Sequence, residues 1–174
     1  MKPGRKSLNL AQQYLNLRCN PVSAGSGDLR RGHLVWRYEV SPLPLSRVYG
    51  ARIEVDQELW PEVFVETPDL GVLAGGRQLP HVYAQQPPRL CLYLPGTSEF
   101  RPWMRIDQTI VPWTALWLFY SEEWLGSDEW KGGGEHPGEW DRKIEADAES
   151  FSMVSDITAR GQHDRWRRRR GAHV

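Results

Sequence analysis

Apolar residues recur along this chain with two different periods. Between Lys6 and Arg18, Leu8, Leu10, Tyr14, Leu15 and Leu17 roughly share one helical face, with no Gly or Pro to interrupt it, which predicts an N-terminal helix. Asn20 to Gly32 is rich in Pro, Gly and Ser and reads as a loop. The period then drops to two. Leu34, Trp36 and Tyr38 alternate within His33 to Val40, and strand-like runs follow at Arg47 to Val55 and Glu62 to Glu66. The spacer SPLPLS between the first two is turn-like, so these runs predict an antiparallel meander. Gly71 to Pro80 reads as a glycine-bearing loop. From His81 to Met104 the chain looks irregular, because Pro80, Pro87, Pro88, Pro95 and Pro102 exclude a long helix there.

The clearest helix is expected to start near Thr109. Pro112 is tolerated in a first turn, where its missing N–H has no intrahelical partner to lose. Trp113, Leu116, Trp117, Tyr120 and Trp124 follow at helical spacing, with Glu122 and Glu123 on the other side. This aromatic stripe reads as core, packed on the sheet. After Trp130 the segment KGGGEHPGEWD excludes regular structure, which divides the chain into a domain over 1–130 and an appendage over 131–174.

Length and charge narrow the function classes. A chain of 174 residues is long enough for one self-sufficient core. Its formal net charge of zero argues against a surface built throughout for nucleic acid or acidic lipid. No apolar run approaches the ~20 residues of a membrane span, and the first residues lack the apolar stretch of a secretory signal. A cytoplasmic protein with free thiols is the expectation, since Cys19 and Cys91 form neither a disulfide framework nor a CxxC pair. No metal site and no cofactor are implied.

Neutrality hides segregation. Residues 121–150 carry ten acids against three bases, whereas 160–170 hold six arginines and one aspartate. The basic terminus could bind nucleic acid, dock on an acidic face, or remain an unstructured tail. The balance elsewhere favours the last two.

Cys91 carries the candidate chemistry. It lies in PPRLCLYLPG, and on residue type alone such a cysteine reads as a small buried hydrophobe. The order of elements around it changes that reading: a helix, a meander, a Pro-containing strand, His81, Cys91 ten residues on, an apolar turn ending in FRPWMRI, then a helix. A thiolate nucleophile beside donors for a tetrahedral oxyanion would suit acyl transfer.

That order resembles the ubiquitin-conjugating enzymes, over about residues 6–126. Ser41-Pro42 stands in the connection between the first two strands, and Pro61-Glu62-Val63 matches the family's Pro-x-Val strand. His81, Cys91 and Leu92 reproduce the spacing from the family's His-Pro-Asn triplet to its catalytic cysteine. Phe100-Arg101-Pro102 takes the place of a Trp-Ser-Pro segment. The triplet itself is His81-Val82-Tyr83, so the asparagine that would steady an oxyanion is missing. The loop from Pro61 to His81 is longer than usual, and the last two helices of the family have no counterpart after Trp130. These departures are similar to those of the stand-alone E2-like proteins of short type II CBASS antiphage operons.

The resemblance implies an α+β, ubiquitin-conjugating-enzyme-like fold: an N-terminal helix, an antiparallel sheet of about four strands, an active-site loop and a long helix on the sheet. It implies an acyl (thioester) transferase that carries or conjugates the C-terminus of a partner, the CD-NTase (cGAS-like cyclase) of the operon, with the cysteine loaded either by a separate activating enzyme or from an already activated or amide-linked tail. Cys91 would be the nucleophile. His81 would support the loop or move a proton, and Tyr83 or backbone N–H groups near Leu92 would serve the oxyanion. Pro88, Leu90, Leu92 and Trp103 would bind the partner's tail. His136 is either a surface residue or a group folding back over Cys91. The alternative is a catalytically silent adaptor of the same fold that binds a peptide tail or a ubiquitin-like partner.

Overall fold

The computed structural model describes residues 6–95 and 97–133. The chain divides into two units, Met1–Glu135 and His136–Val174; the described residues all lie in the first. His136, the arginine-rich terminus and the acidic block beyond residue 133 lie outside the described residues.

The N-terminal helix α1 (Leu10–Cys19) starts later than apolar spacing suggested. The reason is a capping box: the Asn9 side chain accepts from the Gln12 N–H and the Gln12 side chain from the Asn9 N–H, both at 2.9 Å. Its buried face is short, Gln13 and Leu17, with Tyr14 set edge-on against Trp36 at 5.7 Å. Gln13 is buried but fully used. Its amide donates to the Met104 carbonyl at 2.8 Å and accepts from the Ile106 N–H at 3.1 Å, tying α1 to the approach of the last helix.

The expected loop over Asn20–Gly32 is a correction. It contains a 3-10 turn (Pro21–Ser23) and a strand, β1 (Gly25–Arg30). Glycines hid the strand, yet close packing requires them: a Cβ on Gly25 would stand 2.0 Å from the Arg37 carbonyl oxygen. The Arg31-Gly32 turn, with φ of 51° and 76°, joins β1 to β2 (His33–Val40) as a tight hairpin.

β3 (Tyr49–Val55) and β4 (Pro61–Thr67) continue the antiparallel meander, within two residues of the expected bounds. Trp36 lies opposite Ile53 and Ile53 opposite Val63, so alternation gathers one apolar face across all three strands. A short helix, α2 (Leu70–Leu73), is capped by Asp69. The stretch read as irregular after His81 is also corrected. It opens with a hairpin of β5 (Val82–Gln85) and β6 (Pro88–Leu90), whose β6 edge pairs with β4. The sheet therefore has six strands, not about four, in the order β1-β2-β3-β4-β6-β5. Strands of four and three residues give almost no period-two signal; pairing of β6 to β4 and of β5 to β6 makes them.

The long helix α3 (Ile110–Ser127) lies where the aromatic stripe placed it, with Pro112 in its first turn. Its core side is Ile110, Val111, Thr114, Trp117, Leu118, Ser121 and Trp124. Only Trp117 and Trp124 of the expected stripe are in the core; Trp113 and Tyr120 are half-buried and Leu116 is 51% exposed. The helix ends at Asp128 in the left-handed region (φ 60°), where its carboxylate meets Arg77 at 2.6 Å and the Arg77 guanidinium lies 4.4 Å over the Trp124 ring. No described helix is long and apolar enough to cross a membrane.

Candidate active site

The β5–β6 hairpin explains the ten-residue interval between His81 and Cys91. Val82 stands opposite Leu90, and one step further the Cys91 N–H donates to the His81 carbonyl at 3.0 Å. Histidine and cysteine are cross-strand neighbours at the open end of a hairpin, an arrangement that fixes their sequence separation. His81 holds φ at 49°, an uncommon conformation for a non-glycine residue, and several neighbours fix it there. Its carbonyl also accepts from the Trp117 indole N–H at 2.9 Å. Its ring is buried and stacks on Trp130 at 4.8 Å. Upstream, the Gln85 side-chain amide pairs both ways with the Leu79 backbone, at 2.9 and 3.0 Å, and closes the entry to the hairpin.

Beyond Cys91 the chain is pinned from below. The Tyr93 hydroxyl donates to the Pro61 carbonyl at 2.9 Å, and its ring packs on Phe100 at 5.3 Å and Trp60 at 6.3 Å. The following turn is closed by Glu99, whose carboxylate accepts from the Leu94 N–H at 2.7 Å.

Cys91 is half-buried and opens onto a groove of about 650 Å³. α3 supplies one wall with Trp113, Leu116, Trp117 and Tyr120. Leu92, Tyr93 and Leu94 form the other, and Trp130 closes over His81. The wall is apolar and aromatic, and Glu99 is its one carboxylate among the described residues. The outer half of the aromatic stripe, read as core, is therefore groove wall. The five large residues span only about 100° of the helix, but the buried face is centred to one side of them, on Ile110, Thr114 and Ser121, which leaves Trp113, Leu116 and Tyr120 to the groove.

Electrostatics at the sulfur follow from that setting. Burial pushes the Cys91 thiol up, a hydrogen bond with the Tyr83 hydroxyl pulls it down, and the Glu99 charge pushes it up again, with a net rise. The thiol is thus the resting form near neutral pH. The apolar surroundings that disfavour the thiolate would not penalise a neutral acyl derivative of the sulfur.

The Tyr83 hydroxyl donates to the Tyr93 carbonyl at 3.0 Å, two residues beyond Cys91. Leu92 lines the groove. Leu90, expected to touch a partner's tail, is instead core: strand alternation on β6 turns it inward. Pro88 lies in β6 and is not among the groove's lining residues, nor is Trp103, whose indole N–H has no partner among the described residues. Cys19, by contrast, is exposed at the end of α1, away from this groove. Glu99, Trp130 and Arg89 were not singled out from sequence. No group of three or more His, Cys, Asp or Glu residues among the described residues could hold a metal ion.

Comparison with known proteins agrees with this architecture. The model of a family described as Type II CBASS E2 protein matches residues 13–137, which spans the sheet, Cys91 and α3. No curated protein matches the chain.

Proposed function

The chain belongs to the type II CBASS E2 protein family, which gives it a role in CBASS antiphage defence, and we propose that it acts there as a cysteine acyltransferase. Cys91 accepts an activated acyl group from the C-terminus of a partner protein, the CD-NTase of the same system, and passes it on. One observation carries this reading: a half-buried thiol at the rim of a sheet opens onto an apolar groove large enough for an extended tail.

In transthioesterification the Cys91 sulfur attacks the acyl carbonyl, a new S–C bond forms, and the donor's C–S bond breaks. The proton lost by the Cys91 thiol leaves with the donor's sulfur. His81 holds the nucleophile through its backbone carbonyl, which receives both the Cys91 N–H and the Trp117 indole. The Leu92 N–H and the Tyr83 hydroxyl are the donors next to the sulfur for the tetrahedral oxyanion. Each such donor is worth about 3 kcal/mol in the transition state. A separate activating enzyme supplies the activated acyl group.

The test is adduct formation with the operon's CD-NTase and its activating partner, resolved on non-reducing gels. Cys91→Ala is expected to abolish a thiol-sensitive adduct and Cys19→Ala to leave it, while Cys91→Ser traps a reductant-stable ester. Equal behaviour of the two alanine variants would overturn the assignment. Retained tail binding with no adduct in the unmodified protein would instead establish the adaptor.

A further inference from the structure

A short strap, residues 128–133, follows α3 and carries Trp130 back to the groove. The helix stops at Asp128, whose left-handed backbone (φ 60°) turns the chain and whose carboxylate meets Arg77 at 2.6 Å. The Ser127 hydroxyl donates to the Glu123 carbonyl at 2.8 Å and accepts from the Glu129 N–H at 3.3 Å. Lys131 then pairs with Glu123 at 3.3 Å, which brings the strap back beside the helix it has just left.

Trp130 is thereby set against three rings. It stacks on the His81 imidazole at 4.8 Å with the planes 24° apart, and lies 5.7 Å from Trp117 and 5.9 Å from Tyr120. Its indole nitrogen is buried with no hydrogen-bond partner among the described residues. An unpaired buried donor opposes this placement, so the ring is held by its faces. Gly132 packs on the same ring: a Cβ there would stand 2.7 Å from Trp130 Nε1 and 2.9 Å from Tyr120 Cδ2. Gly132 is outside the left-handed region, so close approach is what calls for glycine.

Across the stack is the residue that receives the Cys91 backbone. His81 has φ of 49°, a conformation that a residue with a side chain keeps only when its surroundings impose it. Trp117 constrains the His81 carbonyl from the core, and Trp130 constrains the ring from the strap. The ion pairs that hold the strap are exposed and individually weak, so this second constraint is more easily loosened than the buried one.

Resting on the reading of Cys91 as the acyl carrier, we propose that Trp130 is a positioning residue for that chemistry. Its stack on the imidazole holds the His81 backbone, and the His81 carbonyl in turn holds the Cys91 N–H and so places the sulfur at the groove. The strap thereby ties the end of α3 to the placement of Cys91.

The experiment is hydrogen–deuterium exchange of the full chain, resolved at single amides by NMR, with the Cys91 N–H as reporter. Trp130→Ala is expected to speed exchange at Cys91 about tenfold while amides of β2 and β3 keep their rates. Trp130→Phe keeps a stacked ring and loses no hydrogen bond, so it should restore most of the protection. Gly132→Ala leaves Trp130 in the chain but displaces its ring, and should reproduce the Trp130→Ala pattern. Lys131→Glu sets a like charge against Glu123 and should act in the same direction, less strongly and only at low salt. These two changes keep the test alive if Trp130→Ala fails to fold. Unchanged exchange at Cys91 in Gly132→Ala, or faster exchange spread evenly over the sheet, overturns the proposal. Initial rates of adduct formation should fall in the same variants, with the donor concentration for half-maximal rate unchanged. Exchange needs no acyl donor, so a failure of the positioning role and a failure of the carrier reading are told apart.

Discussion

The Trp117 indole N–H and the Cys91 backbone N–H converge on one oxygen, the carbonyl of His81, at 2.9 and 3.0 Å. The middle of α3 and the Cys91 backbone are thus linked through a single peptide group. Because Trp117 is buried, whatever shifts the helix shifts the segment that carries the sulfur.

Trp117→Phe removes the indole donor and leaves a buried ring smaller by the pyrrole portion. It should cost about 2 kcal/mol of stability, from the lost hydrogen bond and the space left together, although the His81 carbonyl keeps its Cys91 partner. Adduct formation should slow by more than the stability loss alone accounts for, read as initial rates against chemical denaturation midpoints.

Leu116 tests whether the groove takes an apolar tail. It sits on α3 in the groove wall and is half-exposed, so Leu116→Glu should change stability by no more than about 0.5 kcal/mol. If the acyl donor's tail docks there, the donor concentration for half-maximal adduct rate should rise severalfold while Tm holds. An unchanged rate curve would place the tail elsewhere.

Glu99 raises the Cys91 thiol by its charge. Glu99→Gln removes that charge while its amide oxygen can still accept from the Leu94 N–H. The thiolate fraction near neutral pH should rise, and alkylation of Cys91 should quicken about two- to threefold at low salt and less at high salt. Peptide-level mass mapping separates this from labelling of the exposed Cys19.

Asp107 should set the acid limb. Its carboxylate accepts from Asn20 at 2.8 Å and from Arg105 at 2.7 and 3.1 Å, joining the end of α1 to the turn that launches α3. Burial pushes the carboxyl up, but the Arg105 and Asn20 hydrogen bonds outweigh it and hold the group below its usual range. A depressed carboxyl gives stability that is present above the unfolded value, about 3.9, and is lost as pH falls through the folded one. Asp107→Asn should therefore destabilise by about 1–3 kcal/mol at neutral pH and flatten the loss below about pH 4. Thermal melts across pH check both.

The alkaline limb has the opposite sign. Burial and the neighbouring Glu122 carboxylate, which accepts from the Tyr49 hydroxyl at 2.9 Å, push the Tyr49 phenol up to about 12. Its contribution is complete below the ordinary tyrosine value of about 10 and is lost as pH climbs toward the folded one. Tyr49→Phe should leave stability above about pH 10 less dependent on pH than in the unmodified protein, followed by circular dichroism.

Much of this could be read from residues in order. Alternation placed β2 to its residue and β3 and β4 nearly so, because one buried face imposes a period of two on local sequence. Helical spacing placed α3. The His81–Cys91 interval, matched to a family pattern, singled out the two residues but not the hairpin that joins them. β1 stayed hidden because glycines break its pattern, and β5 and β6 because strands of four and three residues are too short to show a period, so that β6 is recognisable only from its pairing with distant β4. Likewise, an aromatic at helical spacing says that it faces something apolar, not whether that is core or groove.

The amino-acid order alone thus determined the spacing of Cys91 from His81, the meander and the long helix, all of which rest on short-range periodicity or fixed spacing. Only the tertiary structure decided that the Tyr83 hydroxyl reaches the Tyr93 carbonyl, that Leu90 turns inward, and that Trp113, Leu116 and Tyr120 border a groove. Those outcomes depend on strand register and on how α3 sits over the hairpin, and a one-residue slip in either would send different side chains to the thiol.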